Sequence, residues 1–314
     1  RTRAHGDLAG DLFIDCSGMA ARLLGGHYGV PMRSQRSVLF NDRALALQVP
    51  CVDADGPIAS QTIATAQPHG WVWDIGLPTR RGVGQVYSSA HTSDDAAESM
   101  LRQYIQRTGG PADLPAARRL RFEPGYRSRF WHRNCVAIGL SSGFIEPLEA
   151  SALALVELSA QRLCDELPMT RDSMDAVARR FNDDFSYRWA RVIDFLKLHY
   201  VLSKRADHDY WHDHRELSSI PDALQEALYL WRYQVPSALD IRHSDVLFPA
   251  ASYQYVLYGM GFQTGLTTSP KPSLQRKAQQ LFNENMQRIQ QLKMVLDDNR
   301  SLLHKIRQHG LPKI

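Results

Sequence analysis

One stretch of the sequence combines a possible anion site with a carboxylate that could accept a proton. Residues 139–153 read GLSSGFIEPLEASAL, with two glycines before a proline and an apolar run after it. Pro147 disfavours helical geometry at Glu146 and itself suits a first helical turn, so a helix is predicted to begin there. The unpaired amide groups of that turn would attract an anion, and Glu149 would be ionised beside them. A plain strand–loop–helix connection with a capping acid explains the same residues, so both interpretations stay open.

Tryptophans and histidines form two further groups of candidates. Trp71 and Trp73 are two residues apart in an alternating segment, so they share one face of a predicted strand and could simply be core aromatics. His208, His212 and His214 could suggest a metal site, but their spacing fits no standard one and aspartates surround them. This pattern is typical of a polar loop, and no metal is predicted.

The elements that would position these residues change character along the chain. Short apolar or alternating runs predict strands in residues 11–18, 38–40, 44–47, 61–66, 71–75, 83–88, 120–122 and 135–138. The turn at Gly82 predicts that residues 71–75 and 83–88 form a β-hairpin. Helical spacing of apolar residues predicts helices in residues 92–105, 148–167, 172–200 and 273–306. The first has an N-cap signal in residues 92–95, the second places Leu153 in its buried stripe, and the third could be capped by Asp172 and Ser173. Residues 236–249 are predicted to form a loop between helices. Strands followed by helices indicate an α/β fold of mixed α+β character, with residues 1–165 forming a sheet domain and residues 166–314 a helical region packed on it.

Composition narrows the class of protein. The chain has 314 residues, 44% of them hydrophobic and 22% charged, which is typical of a packed globular protein. The net charge is +4, and the arginine-rich run in residues 118–133 carries no nucleic-acid recognition motif, so a solvated face is predicted rather than a nucleic-acid site. No apolar run reaches membrane-spanning length, and no membrane partner is predicted.

The four cysteines carry a prediction about location. They are far apart and form no CxxC pair, which favours a reducing, cytoplasmic environment and small buried residues over redox or zinc sites. They are Cys16, Cys51, Cys135 and Cys164.

Four stretches, in the same order along the chain, resemble the flavin-dependent tryptophan halogenase family. Residues 143–149, GFIEPLE, resemble the family signature GFxEPLES, which is long and specific. Residues 11–18, 41–44 and 71–75 read DLFIDCSG, NDRA and WVWDI and resemble the DLFIDCSG, NDRAxA and WxWxIP stretches of the family. The resemblance covers residues 12–261. It implies a partial FAD-dependent monooxygenase-like domain with a mixed sheet, followed by a mostly helical substrate-side region.

The resemblance also implies an activity and its cofactors. In that family reduced FAD and O2 oxidise a halide, chloride or bromide, to hypohalous acid, which a lysine presents to an electron-rich aromatic ring. An indole or tryptophan-like substrate is therefore expected. A separate flavin reductase would supply the reduced FAD, because nothing in the sequence suggests a nicotinamide site. A homodimer is a further expectation that rests on no particular residue.

The family's site residues fall on definite positions of this chain. The halide would lie on the backbone amides of Ser151 and Ala152, and Glu149 would stand beside the reacting ring to accept its proton or stabilise its charge. Trp71 and Trp73 would shield the flavin from the organic substrate. The positions that would contact the flavin are Leu140, Leu153, Gly18 and Pro147.

This sequence departs from the family pattern at several of these positions. Ala150 stands where the family has serine, and Ser151-Ala152 where it has Thr-Gly. Because backbone amides survive such changes, the halide site stays predicted. Gly76 replaces the motif's proline, and Phe248 stands near the position of a tryptophan that stacks on the substrate. These two changes favour a substrate other than free tryptophan.

Two features of the family do not occur in the sequence. It contains no GxGxxG fingerprint, and the family's catalytic lysine belongs to the same N-terminal region. The chain is therefore predicted to be a fragment that binds FAD poorly and is inactive alone. The alternatives are an FAD-dependent monooxygenase that hydroxylates its substrate, or a non-catalytic fragment with a binding or structural role.

Overall fold

The computed structural model describes residues 4–240, 247–265 and 271–311. The strands in these ranges are β1 Phe13–Asp15, β2 Met32–Ser34, β3 Arg43–Pro50, β4 Ile63–Gln67, β5 Gly70–Gly76, β6 Arg80–Tyr87, β7 Arg118–Arg121, β8 Gly125–Arg127, β9 Trp131–His132, β10 Cys135–Ala137 and β11 Gly143–Phe144. The α-helices are α1 Asp94–Arg107, α2 Ser151–Asp165, α3 Arg171–Leu202, α4 Asp209–Asp213, α5 Asp222–Leu230, α6 Ala250–Gly259, α7 Pro272–Val295 and α8 Asn299–His309.

The largest sheet has five strands in the order β4-β5-β6-β3-β7, and every neighbouring pair is antiparallel. Side chains alternate between its two faces. One face packs against α1, where Leu45 and Val83 join Leu101 in a buried cluster. The other face contributes Trp71 and Val86 to the main core, which it shares with α3. The predicted hairpin of β5 and β6 is confirmed by their register.

The long helix α3 is the element on which the site residues converge. Thr170 caps it and forms a capping box with Ser173, so the prediction that the cap lies at residues 172 and 173 is wrong by two positions. The side chain of Asn182 accepts hydrogen bonds from the backbone nitrogens of Phe130 and Trp131 at 2.7 and 2.9 Å. These bonds tie α3 to β9 and hence to the small sheet that contains β1 and β10.

The small sheet brings two turns of the chain together. Strands β1 and β10 are parallel, and each is followed by a 3₁₀ turn, Gly18–Ala20 and Gly139–Ser141. The two turns are in contact, and the hydroxyl of Ser141 donates to the backbone oxygen of Asp15. Ligands of open α/β sheets bind at the carboxyl ends of parallel strands. This edge of the sheet is therefore where a ligand is expected.

Three predictions about local structure are wrong. The predicted helix of residues 273–306 is two helices, α7 and α8, separated at residues 296–298, and neither contains a buried residue. Leu153 was expected in the buried stripe of its helix, but its side chain is 81% exposed. Cys16 and Cys164 are exposed, so not every cysteine is a small buried residue. Residues 241–246 of a predicted loop at 236–249 lie outside the described residues.

Candidate functional site

Helix α2 begins at Ser151, so the prediction that it begins at Pro147 is wrong. The backbone nitrogen of Ala150 donates to the oxygen of Pro147 at 3.0 Å, which closes a tight turn before the helix. Ala150 has φ 50°, in the left-handed region. The reason is tertiary: Glu146 and Glu149, on either side of Pro147, are both bound to side chains of α3. Glu149 therefore lies in the turn and not in the helix.

The amides that open α2 are unpaired despite this shift. Among the described residues, no acceptor bonds the backbone nitrogen of Ser151 or Ala152, and Ala150 supplies no side-chain cap. Such a helix start carries a partial positive charge and attracts anions. The left-handed conformation of Ala150 costs about 1 kcal/mol, and strain of this kind is typical of functional sites. The anion site stays a prediction, and these free amides are where it would lie, although the helix starts later than expected.

A cavity of about 270 Å³ lies against this helix start, and mostly apolar side chains line it. The large exposed side chains at its edge are Leu140 and Leu153, which are 45% and 81% exposed. Exposed apolar surface of this kind is typical of a binding face for an apolar ligand. The cavity brings together five of the predicted site residues, namely Leu140, Pro147, Ser151, Ala152 and Leu153.

Gly18, the remaining predicted flavin contact, lies at the carboxyl end of β1. Its φ is 72°, and a Cβ atom built there would meet nothing within 4 Å. The loop after β1 is held by Asp15, whose carboxylate accepts from the backbone nitrogens of Ser17, Leu23 and Leu24. Burial alone would raise the pKa of Asp15, but the hydrogen bonds from Ser17 and these amides hold it below its usual value. Gly18 is thus placed rigidly beside open space.

Glu149 is bound to a histidine of α3. Its Oε1 lies 2.9 Å from Nε2 of His199, and the two side chains are 34% and 20% exposed. Glu149 does not itself line either cavity next to the α2 start, whereas His199 lines the second one. Sequence reasoning did not identify His199.

The second cavity measures about 240 Å³ and has an aromatic wall. Its lining includes Trp71, Trp211, Leu148, His199 and Met260. An apolar cavity of about 150 Å³ can take up benzene, so this one has room for a small aromatic molecule.

Trp71 and Trp73 lie on one face of β5, as predicted, with ring centroids 6.2 Å apart. Trp71 is buried, and its Nε1 donates to Oε2 of Glu146 at 3.1 Å. The ring of Trp73 lies over Gly84 of the neighbouring strand, where a Cβ atom would come within 2.1 Å of it. Both rings therefore have well-defined places in the core, and their shielding role stays a prediction.

Glu146 is a buried carboxylate that sequence reasoning missed, because only the second glutamate of the motif was singled out. It accepts hydrogen bonds from Trp71, from the hydroxyl of Tyr200 at 2.6 Å and from the amide of Asn41. Burial raises its pKa, against the effect of these three donors. Asn41, Trp71 and Glu146 come from residues 41–44, 71–75 and 143–149, so three of the four recognised stretches meet at one carboxylate.

Lys197 is a second buried charge next to this network. Its Nζ lies 2.9 Å from Nδ1 of His214 and 3.0 Å from the hydroxyl of Ser219, and 4.9 Å from the centre of the Phe40 ring. Burial lowers its pKa to about 7, while the nearby Glu146 raises it. No sequence signal identified this residue, since a lysine on a helix is usually exposed.

The side chains of the three histidines in the predicted polar loop lie in different surroundings. His214 is buried and stacks on Phe40 and Tyr200, with ring centroids 4.1 Å away in each case. His212 contacts a backbone oxygen at 3.2 Å, and the ring of His208 lies near that of His69. Over residues 4–240, 247–265 and 271–311 there is no group of three or more potential metal ligands. In the same residues, no helix is both long and apolar enough to cross a membrane.

Comparisons with known proteins agree with this architecture. A family model described as tryptophan halogenase matches residues 2–278. The tryptophan 6-halogenase of Streptomyces toxytricini is 38% identical over 274 residues, which are 87% of this chain. The 7-chloro-L-tryptophan 6-halogenase of a Kutzneria species is 34% identical over 98% of this chain. The crystal structure of a tryptophan halogenase from Shewanella frigidimarina superposes with a TM-score of 0.95 over 99% of this chain, at 56% identity.

These matches confirm the mixed α/β fold, and they also reveal a difference in length. This chain covers 51% of the Streptomyces protein, 58% of the Kutzneria protein and 59% of the Shewanella chain. It therefore spans between half and three fifths of the relatives it matches. The division into residues 1–165 and 166–314 and the cytoplasmic location remain predictions.

Proposed function

The chain belongs to the flavin-dependent tryptophan halogenase family, and on that premise we propose that the protein containing it halogenates an electron-rich aromatic compound, an indole or a tryptophan-like molecule. The observation that carries the proposal is the pair of unpaired amides of Ser151 and Ala152, which open α2 next to Glu149 and an apolar cavity. The relatives named above are described as tryptophan halogenases. The cosubstrates would be reduced FAD, O2 and chloride or bromide.

The amides of Ser151 and Ala152 would hold the halide. They need no side chain for this task, so the replacement of Thr-Gly by Ser-Ala leaves the donors in place. The positive end of the helix dipole adds an attraction of about 0.3–1 kcal/mol for an anion. A flavin bound over the exposed Leu140 and Leu153 would exclude water from these amides and so strengthen their hydrogen bonds to the halide.

Residues at the carboxyl ends of β1 and β10 fit a flat cofactor. Gly18 faces open space, and the exposed Leu140 and Leu153 offer apolar surface beside the amides. Together with Pro147 they would contact the flavin ring, whose reduced form, with O2, would supply the oxidising power that converts the halide to hypohalous acid. The described residues offer no Gly-rich phosphate loop, so the rest of FAD would need partners elsewhere in the protein.

Glu149 would handle the proton of the substrate. Halogen addition makes an aromatic ring cationic, and the ring recovers its aromaticity when it loses a proton from the substituted carbon. A carboxylate near that carbon stabilises the charge and takes the proton. The 240 Å³ cavity next to His199, with Trp71, Trp211 and Leu148 in its wall, is where we place the aromatic ring.

Trp71 and Trp73 would separate this cavity from the flavin side. Their ring centroids are 6.2 Å apart, and Trp71 donates a hydrogen bond to Glu146. A wall of two indole rings would keep an organic substrate away from the flavin and so favour halogenation over hydroxylation. A separate flavin reductase would provide the reduced FAD, and we propose no activity for this chain without the remainder of the protein.

Mass spectrometry of the product tests the proposal. The protein is supplied with FAD, a flavin reductase, NADH and tryptophan or a simple indole, with chloride, with bromide or without halide. We expect products with the isotope pattern of chlorine or bromine, and none without halide. A product that gains one oxygen instead would overturn the proposal in favour of a hydroxylase.

Two matched variants assign the role of Glu149. Glu149→Gln should lower the halogenation rate about 100-fold or more, the usual contribution of general acid–base catalysis, while flavin reoxidation continues. Glu157→Gln makes the same change at an exposed position of α2 and should leave both rates unchanged. If Glu149→Gln lowers flavin reoxidation as much as halogenation, the residue supports the fold and not the ring chemistry.

A further inference from the structure

We propose that a groove between α3 and the β9–β10 hairpin binds a small phosphate ester that also carries hydroxyl groups, such as a sugar phosphate or a nucleotide. This arginine groove measures about 520 Å³ and, among the described residues, shares no lining residue with either cavity of the candidate site. Ligand pockets commonly measure about 300–1,000 Å³. The charged residues that line the groove are Arg33, Arg129, Arg133, Asp175, Arg179 and Asp183.

The arginines of the arginine-rich run differ in their surroundings. Arg119, on β7, forms ion pairs with Asp95 and Glu98 at 2.7 and 3.2 Å. Arg129 and Arg133 line the arginine groove, and no carboxylate of the described residues lies within ion-pair distance of either. The acids of α1 thus neutralise Arg119 but leave the two arginines of the groove without a counter-charge.

The fold gathers positive charge on one side of the groove. Arg33 of β2 joins Arg129 and Arg133 there, although it lies about a hundred residues earlier in the chain, while α3 forms the other side. Arg33 also forms no ion pair within the described residues. Like charges repel when no counter-charge lies between them, and a bound anion would relieve this repulsion.

Local structure holds Arg133 in this position. Its φ is 52°, in the left-handed region, and its backbone oxygen accepts a hydrogen bond from Nε1 of the buried Trp131 at 3.0 Å. Its guanidinium carbon lies 5.8 Å from the centre of the Tyr28 ring. A left-handed residue other than glycine costs about 1 kcal/mol, and such strain is found mainly at functional sites.

A phosphate group fits the arginine side better than a carboxylate does. Each guanidinium group is a planar fork of N–H donors that matches two oxygens of a phosphate. Arginine donates hydrogen bonds and does not accept them, so this side requires a ligand rich in acceptors. A phosphate ester has several terminal oxygens, and one such group can therefore bind more than one of the three arginines.

The α3 side of the groove selects hydroxyl groups. Asp175 and Asp183 lie four residues before and after Arg179, so they partly offset its charge. Neither aspartate forms an ion pair with a described residue. Ionised carboxylates accept hydrogen bonds and repel phosphate, and carboxylates bind ribose hydroxyls in nucleotide sites. A ligand with phosphate at one end and sugar hydroxyls at the other therefore fits both sides.

His132 provides a probe of the charge inside the groove. It lines the groove, and its ring packs edge-on against Tyr28 with centroids 5.5 Å apart. Burial lowers the pKa of His132, Arg129 and Arg133 lower it further, and Asp175 raises it. A bound phosphate would offset the two arginines, so it should raise the pKa of His132.

Calorimetric titration of the FAD-loaded protein tests the proposal, because its flavin site is already occupied. The probes are inorganic pyrophosphate, ribose 5-phosphate and ADP, with citrate as an anion without phosphate. We expect one site with Kd below about 1 mM for each phosphate probe and weaker binding of citrate. Tighter binding of ADP than of ribose 5-phosphate would identify the ligand as a nucleotide, and equal binding as a sugar phosphate; both results support the proposal.

Matched variants assign the binding to the groove. Arg129→Gln and Arg133→Gln should each weaken pyrophosphate binding about 10-fold or more, the usual effect of one hydrogen bond to a charged group. Arg119→Gln makes the same change of charge outside the groove and should leave pyrophosphate binding unchanged. Asp183→Asn should weaken the binding of ribose 5-phosphate but not that of pyrophosphate, because only the sugar has hydroxyl groups to donate.

Several results would overturn the proposal. They are no binding of the phosphate probes, equal affinity for citrate and pyrophosphate, or equal losses in Arg119→Gln and Arg133→Gln. NMR titration of His132 gives an independent readout that does not depend on any variant. Its pKa should rise when pyrophosphate saturates the protein, and an unchanged pKa would show that the probe binds elsewhere.

Discussion

Replacing Glu146 tests whether the buried carboxylate organises the core of the site. Three donors point at its two oxygens: Trp71 and Asn41 at Oε2, and Tyr200 at Oε1. The carboxylate is 1% exposed, so water cannot replace it. Two substitutions separate the effect of its hydrogen bonds from that of its charge, namely Glu146→Leu and Glu146→Gln.

The magnitude for Glu146→Leu follows from the donors that lose their acceptor. The amide of Asn41 also lies 3.1 Å from the hydroxyl of Tyr200 and can keep that bond. The indole N–H of Trp71 and the hydroxyl of Tyr200 lose their acceptor, and each buried unpaired donor costs about 1–3 kcal/mol. We expect the free energy of unfolding to fall by about 2–6 kcal/mol. Since domains are stable by about 5–15 kcal/mol, this variant could be largely unfolded.

Glu146→Gln keeps the shape and removes the charge. Its side-chain oxygen can accept from Trp71 and Asn41, and its amide can donate to the oxygen of Tyr200 if that hydroxyl turns. We expect a loss of about 1 kcal/mol or less at neutral pH. This variant stays folded, so the reasoning can be tested even if the leucine variant does not fold.

The dependence of stability on pH gives the sharper result. Burial raises the pKa of Glu146 in the folded state, so the folded chain keeps this proton at pH values where the unfolded chain has lost it. The pKa of a glutamate in the unfolded chain is about 4.3. The free energy of unfolding therefore falls as the pH rises from about 4.3 through the higher pKa of Glu146 in the folded chain. Urea unfolding across that range should show this slope in wild type and a flatter one in Glu146→Gln. The reasoning would be refuted if wild type and Glu146→Gln showed the same dependence of unfolding free energy on pH. It would also be refuted if Glu146→Leu were as stable as Glu146→Gln.

Further predictions concern Lys197 and two glycines. Burial lowers the pKa of Lys197 to about 7 in the folded chain, whereas a lysine in the unfolded chain has a pKa of about 10.4. Between these two pH values the unfolded chain binds more protons than the folded chain, so the free energy of unfolding should rise with pH. Lys197→Met should remove this rise in thermal unfolding, and an unchanged rise would contradict it. Gly18→Ala should cost about 1 kcal/mol because its φ of 72° is strained for alanine. Gly82→Ala, also in open space but without a positive φ, should cost clearly less in the same unfolding experiment.

Much of the fold could be predicted from local pattern. Alternation and turn residues predicted β5, β6 and their hairpin, and the cap at Ser93 with its apolar stripe predicted α1. These signals are local, because strand and helix periods are set by neighbours within a few residues. The GFIEPLE stretch likewise predicted where the candidate site lies, and Gly143, Phe144, Ile145, Glu146 and Pro147 line the cavity beside it.

The exact start of α2 could not be predicted from this stretch alone. Pro147 favours a helix start locally, but the turn that follows it is held by Glu146 and Glu149 through Tyr200 and His199 of α3. These partners are about fifty residues away along the chain. No local rule reports such pairs, and their contacts outweigh the preference of a single proline.

By itself, the sequence determined the order of strands and helices, the family, and the stretch that carries unpaired amides next to a carboxylate. The tertiary structure alone decided which glutamate is buried and which one contacts a histidine, because a side chain's charge and proton depend on neighbours brought together by folding. Asn41, Trp71 and Tyr200 surround Glu146 from three distant parts of the chain. Burial and hydrogen bonding, which shift a carboxylate's proton affinity, exist only once those parts have met.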